Sequence, residues 1–81
     1  MKAVFTEPFL NNFEKLPEIT KRKFKKQLGF LLANIRHPSL RAKKYDAGQD
    51  IWQARVNDAF RFYFQIKSDT YFILNIIKHP K

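Results

Sequence analysis

The sequence predicts an α+β fold of order β-α-α-β-β-β, with a helical hairpin packed on one face of a small antiparallel sheet. Apolar residues recur at helical spacing through the first half of the chain and alternate with period two through the second. Turn-prone residues divide that second half into strands. The 81 residues, 1–81, are read as a single domain, because a chain this short leaves no room for a second core.

Lys2-Ala3-Val4-Phe5 is a short strand candidate. Thr6 is placed as an N-cap, with Glu7 and Pro8 in the first turn, where an acid and a proline are both favoured. Phe9, Leu10, Phe13 and Leu16 then follow helical spacing until Pro17 ends this helix and opens the next. The second helix is predicted from about Pro17 to about Asn34, with Phe24, Leu28, Leu31 and Ile35 forming an apolar stripe edged by Ile19 and Leu32. Gly29 inside it costs about 1 kcal/mol relative to alanine, so close packing against that position is expected. The segment from His37 to Tyr45 is read as a loop because Pro38 forbids helix continuation, and Asp46 to Asp50 adds a turn. A last strand is expected over Tyr71–Lys78, with Phe72, Leu74 and Ile76 toward the helices. Tyr71, Ile73, Asn75, Ile77 and His79 then fall on the other face.

Between them lies the most informative stretch, Trp52 to Phe64. Trp52, Ala54 and Val56 share one face of a strand, and Phe60, Phe62 and Phe64 share one face of the next, with Asn57-Asp58-Ala59 as the turn. For the apolar faces to coincide, Trp52 must oppose Phe64 and Ala54 must oppose Phe62. That register sets Arg55 across from Arg61 on the opposite face, with Tyr63 beside them. Like charges directly opposite on a sheet repel. An anion bridging both guanidinium groups removes the conflict, and phosphate suits their forked geometry. The other reading is that both arginines splay into water.

Charge composition points the same way. Sixteen Lys/Arg against seven Asp/Glu give a net charge of +9, which favours a polyanionic partner such as RNA, DNA, the ribosome or an acidic protein. Between Glu18 and Asp46 no acidic residue interrupts a run that includes Lys21, Arg22, Lys25, Lys26, Arg41, Lys43 and Lys44. The absence of cysteine excludes disulfides and thiolate metal sites. Asp46, Asp50, Asp58 and Asp69 are scattered among turns, so neither a two-metal nuclease nor a zinc site is expected, and no cofactor is. No signal-peptide apolar region follows Met1-Lys2, and no run approaches membrane-spanning length; a cytoplasmic location without membrane association is expected.

Arg55, Arg61, Tyr63 and His79 can gather on the helix-free face, with Lys43 and Lys44 arriving from the loop. That set suits metal-independent cleavage of RNA, in which guanidinium groups stabilise charge building on the phosphoryl oxygens. An imidazole exchanges protons near neutral pH, although a histidine near a terminus can also be merely solvated. His37 is read as a loop residue and Trp52 as core.

The segment from His37 to Lys44, then Trp52-Gln53-Ala54-Arg55-Val56, Phe60-Arg61-Phe62-Tyr63-Phe64 and a late His79, resembles the RelE/ParE superfamily of bacterial toxins of type II toxin–antitoxin systems. The most specific part is the W-x-x-R-V, turn, aromatic-R-aromatic pattern. The resemblance implies a ribosome-dependent mRNA endoribonuclease, neutralised by a cognate acidic antitoxin that wraps the toxin. It implies catalytic roles for Arg61 (phosphate stabilisation), Arg55 (substrate binding) and His79 (proton transfer). Lys43 and Lys44 would match a loop whose basic residues contact RNA, and Arg41 and Tyr63 are read as further RNA-binding residues. Many nuclease members carry a tyrosine just after the last strand, where this sequence reads Pro80-Lys81, and some carry a glutamate in the loop before the sheet, where this one has none. A gyrase-directed toxin of the ParE branch and a non-catalytic basic RNA-binding module therefore stand as alternatives.

Overall fold

The computed structural model describes residues 1–79 and has seven elements within them. They are β1 (Lys2–Phe5), α1 (Glu7–Glu14), α2 (Glu18–Ala33), β2 (Lys43–Asp46), β3 (Ile51–Arg55), β4 (Phe60–Lys67) and β5 (Thr70–Lys78). The strands form one sheet in the order β1-β5-β4-β3-β2. Every pairing is antiparallel except β1 with β5, which is parallel, so the sheet is mixed rather than purely antiparallel. The two helices between β1 and the rest let the chain cross over and return in the same direction.

Both helices stand where the spacing predicted them. Thr6 is the N-cap of α1, yet its hydroxyl makes no capping bond. It donates instead to the carbonyls of Ile73 at 3.0 Å and Leu74 at 2.9 Å. In α2 the buried face is Thr20, Phe24, Gln27 and Leu31. The stripe is therefore rotated from the expected one, and Ile19 is 79% exposed. The rotation follows from two buried polar residues that apolar counting cannot see. Gly29 meets no atom within 4 Å of where a Cβ would stand, so the expected close packing is absent.

The expected loop from His37 to Tyr45 ends early, because Lys43–Asp46 forms the edge strand β2. An edge strand with one neighbour needs no apolar alternation, and lysines there discourage pairing with other chains. That is why the pattern gave no strand signal.

The hairpin register is the predicted one: Trp52 opposes Phe64, Ala54 opposes Phe62 and Arg55 opposes Arg61. In β5 the predicted faces hold only beyond an irregularity. Tyr63 pairs with Asn75 but Phe64 pairs with Ile73, which leaves Leu74 as an extra residue. A bulge of one residue reverses the alternation. Hence Ile76 is buried as expected, while Tyr71 and Ile73 are buried in place of Phe72 and Leu74. The two carbonyls that accept from Thr6 belong to the bulged residue, Leu74, and to Ile73 just before it.

The core is aromatic. Phe24 of α2 meets Phe62 of β4 edge-on at 5.1 Å and Phe9 of α1 at the same distance. Phe64 packs edge-on against Tyr71. Such pairs add about 0.5–1.5 kcal/mol each beyond area burial.

Candidate phosphate-binding cleft

Because Arg55 and Arg61 oppose each other while Ala54 and Phe62 face the helices, both guanidinium groups emerge on the helix-free side. They line a cleft of about 230 Å³ with Arg41, Lys43, Gln53 and His79. Three arginines, a lysine and an imidazole thus line one small hollow.

Local structure orients each of them. The Arg55 guanidinium is paired with the carboxylate of Asp58, a turn residue whose side chain is 98% exposed. An ion pair to so exposed a carboxylate contributes little and yields readily to a better anion. Arg61 donates through Nη1 to the carbonyl of Asn57 and, at 3.0 Å, to that of Phe60. The turn is itself fixed by the Asn57 side chain, whose Oδ1 accepts from the N–H groups of Ala59 and Phe60 at 2.9 Å. His79 is tied to that turn through its own N–H, which donates to the Ala59 carbonyl at 2.6 Å. The three residues read as catalytic therefore share one support.

Arg41 and Lys43 come from the segment leading into β2. The Arg55 N–H donates to the Leu40 carbonyl at 2.7 Å, extending the sheet pairing just before Arg41. Arg41 then adopts φ 48°, a left-handed conformation costly for a residue with a Cβ. Lys43 lies opposite Gln53.

Two residues read as RNA contacts stand elsewhere. Successive strand residues face opposite ways, so Lys44 sits on the Trp52 side, with Nζ 5.3 Å from that ring and paired with Asp50. Tyr63 accepts from Gln53 Nε2 at 3.0 Å and packs edge-on to Tyr45. It lines a neighbouring hollow with Ile51, Leu74 and Ile77 rather than the cationic cleft. Pro80 and Lys81 lie outside the described residues.

Two glutamines were missed. Gln53 is only 8% exposed, lines the cleft and lies in register with Lys43 on one side and Tyr63 on the other. Its signal was a polar residue between Trp52 and Ala54, at the arginine parity. Gln27 has no exposed surface and bridges α2 to the cleft. Its Nε2 donates to the carbonyls of Ser39 and Arg55 at 3.0 and 2.8 Å, and its Oε1 accepts from the Ser39 hydroxyl at 2.9 Å. Inside a lysine-rich helix it looked like one more surface residue.

Among the described residues no helix is long and apolar enough to cross a membrane. Among the same residues no group of three or more His, Cys, Asp or Glu could hold a metal ion.

No protein-family model matches the chain, and no curated protein matches it. Solved structures do. The YoeB/ParE toxin from Agrobacterium tumefaciens superposes with a TM-score of 0.83 at 13% identity, covering 99% of this chain and 100% of that one. RelE in the RelE–RelB complex of Pyrococcus horikoshii OT3 gives 0.79 at 16% identity, covering 95% of this chain and 92% of that one. The intact E. coli RelBE toxin–antitoxin complex gives 0.75 at 19% identity, with 98% and 96% covered. The chain thus shares the fold of these RelE and YoeB/ParE toxin structures. The likeness covers nearly the whole chain.

Proposed function

We propose that this chain is a toxin of the RelE type, an mRNA endoribonuclease that works on the ribosome and inhibits translation. The observation that carries this reading is the convergence of Arg41, Lys43, Arg55, Arg61 and His79 on one cleft. In the reaction a ribose 2′-oxygen attacks the adjacent phosphorus, the bond to the 5′-oxygen breaks, and a 2′,3′-cyclic phosphate and a 5′-hydroxyl result. Arg61 and Arg55 hold the phosphoryl oxygens and stabilise their developing charge. His79 exchanges a proton with the attacking or leaving oxygen. Arg41 and Lys43 grip the flanking backbone, while Lys44, on the opposite face, serves a more distant phosphate. Tyr63 borders the RNA path from its own hollow.

The proposed partners are mRNA, the ribosome and a cognate antitoxin, acidic enough to match a charge of +9. RelE from P. horikoshii and from E. coli was solved with RelB, and YoeB from Staphylococcus aureus with YefM, which supports an antitoxin here. The expected location is the cytoplasm.

Induced expression in bacteria, with parent and Arg61→Ala chains compared, tests the reading. The parent should arrest growth with cleaved messages and the variant should not. Arrest with intact messages and impaired DNA supercoiling would instead select a gyrase-directed toxin. Salt-sensitive RNA binding without arrest would select a passive RNA-binding module.

A further inference from the structure

A second and larger cavity, of about 460 Å³, opens beside the phosphate cleft. Ile35, Pro38, Ala42 and Trp52 give it apolar walls, His37 adds a planar ring, and Arg36 and Arg41 stand at its rim. Arg41 lines both cavities, so the two meet at one side chain whose backbone is held at φ 48°. A strained residue kept between two hollows is a reason to look for a ligand that spans them.

The polar groups around this cavity are donors. Arg36 and Arg41 carry guanidinium groups, and among the described ion pairs neither has a carboxylate partner. His37 is stacked on Phe30 with ring centroids 3.8 Å apart and planes 4° apart, which fixes its orientation. Its Nδ1 accepts from the Ser39 N–H at 3.1 Å, so the ring proton sits on Nε2 and offers another donor. A suitable ligand is planar, apolar on its faces, rich in acceptors at its edge, and joined to an anion. The volume lies within the range of about 300–1,000 Å³ found for small-molecule sites.

The geometry points to a nucleobase subsite: the cavity between His37, Ala42 and Trp52 takes the base of the nucleotide whose phosphate is gripped in the cleft next door. This inference rests on the RNA reading of that cleft. It adds a pocket that holds one base out of the stack, with apolar walls against its faces and arginine at its acceptor edge. Such a pocket would give an otherwise backbone-directed cleft a preference for position along the message.

Trp52 is the chain's single tryptophan and lines the pocket, so its fluorescence reports occupancy directly. Purified protein is titrated with adenosine monophosphate, guanosine monophosphate and inorganic phosphate. Either or both nucleotides should quench Trp52 saturably, while inorganic phosphate, held in the neighbouring cleft, should not. Ala42→Phe fills the pocket and should abolish quenching; Arg36→Glu, a change at an exposed rim position, should weaken it about tenfold, the equivalent of one lost arginine contact. Absence of saturable quenching in the parent, equal quenching by inorganic phosphate, or undiminished affinity in Arg36→Glu overturns the subsite. These outcomes hold even if Ala42→Phe does not fold. Message cleavage by a protein that no nucleotide quenches removes the subsite alone. Quenching without cleavage removes the nuclease reading alone.

Discussion

At Gln27 three hydrogen bonds converge on a side chain with no exposed surface, and two of the partners are main-chain carbonyls beside the cleft. Gln27→Leu keeps the bulk but strips these groups of their partners. Stability should fall on the order of 1–3 kcal/mol, the cost of burying an unsatisfied polar group. A urea midpoint that drops at constant slope checks this; an unchanged midpoint would mean that water replaces the bonds. Tyr71 offers a pH test. Burial, with a smaller contribution from the Asp69 carboxylate, raises its hydroxyl above the ordinary tyrosine value. Above a pH of about 10 the unfolded chain therefore loses this proton before the folded one, and stability falls as pH rises further. Tyr71→Phe should flatten that alkaline decline, as followed by thermal unfolding between neutral and alkaline pH. Residues such as Gln27 and Tyr71 are illegible in sequence because their environment, not their type, makes them matter.

Among the elements, α2 and β5 show why spacing is a partial guide. The extent of α2 was legible from its apolar recurrence and the flanking prolines, whereas its rotation depended on Thr20 and Gln27 being buried. Gly29 lies on its exposed side with open space around it. Gly29→Ala should stabilise the protein by up to about 1 kcal/mol, through helix propensity and a less flexible unfolded chain. A midpoint unmoved or lowered would mean that something packs there after all. In β5 a single extra residue at Leu74 exchanged the faces of half a strand. Alternation cannot announce a bulge, because each half remains regular. The β3–β4 hairpin, by contrast, was fully legible: its turn residues and its two apolar triplets admit one register.

Across the whole molecule, helices cover one sheet face, and the other gathers cations from three separated segments. Arg55, Arg61 and their opposition could be read from sequence because hairpin register is a local property. How Arg41 and Lys43 reach the cleft while Lys44 turns to the opposite face could not, because that depends on β2 joining the sheet edge. The segment leading into that edge strand, Arg41-Ala42, carries the chain from one cavity to the next, so the placement of β2 bears on the shape of both.

The decisive measurement is message cleavage on purified, programmed ribosomes by the parent and the Arg61→Ala variant, compared at equal folded concentration. Loss of one well-placed donor to the developing phosphoryl charge should slow cleavage by about 10²–10³-fold, while ribosome binding changes far less. A variant that cleaves as fast as the parent would contradict a catalytic role for the paired arginines.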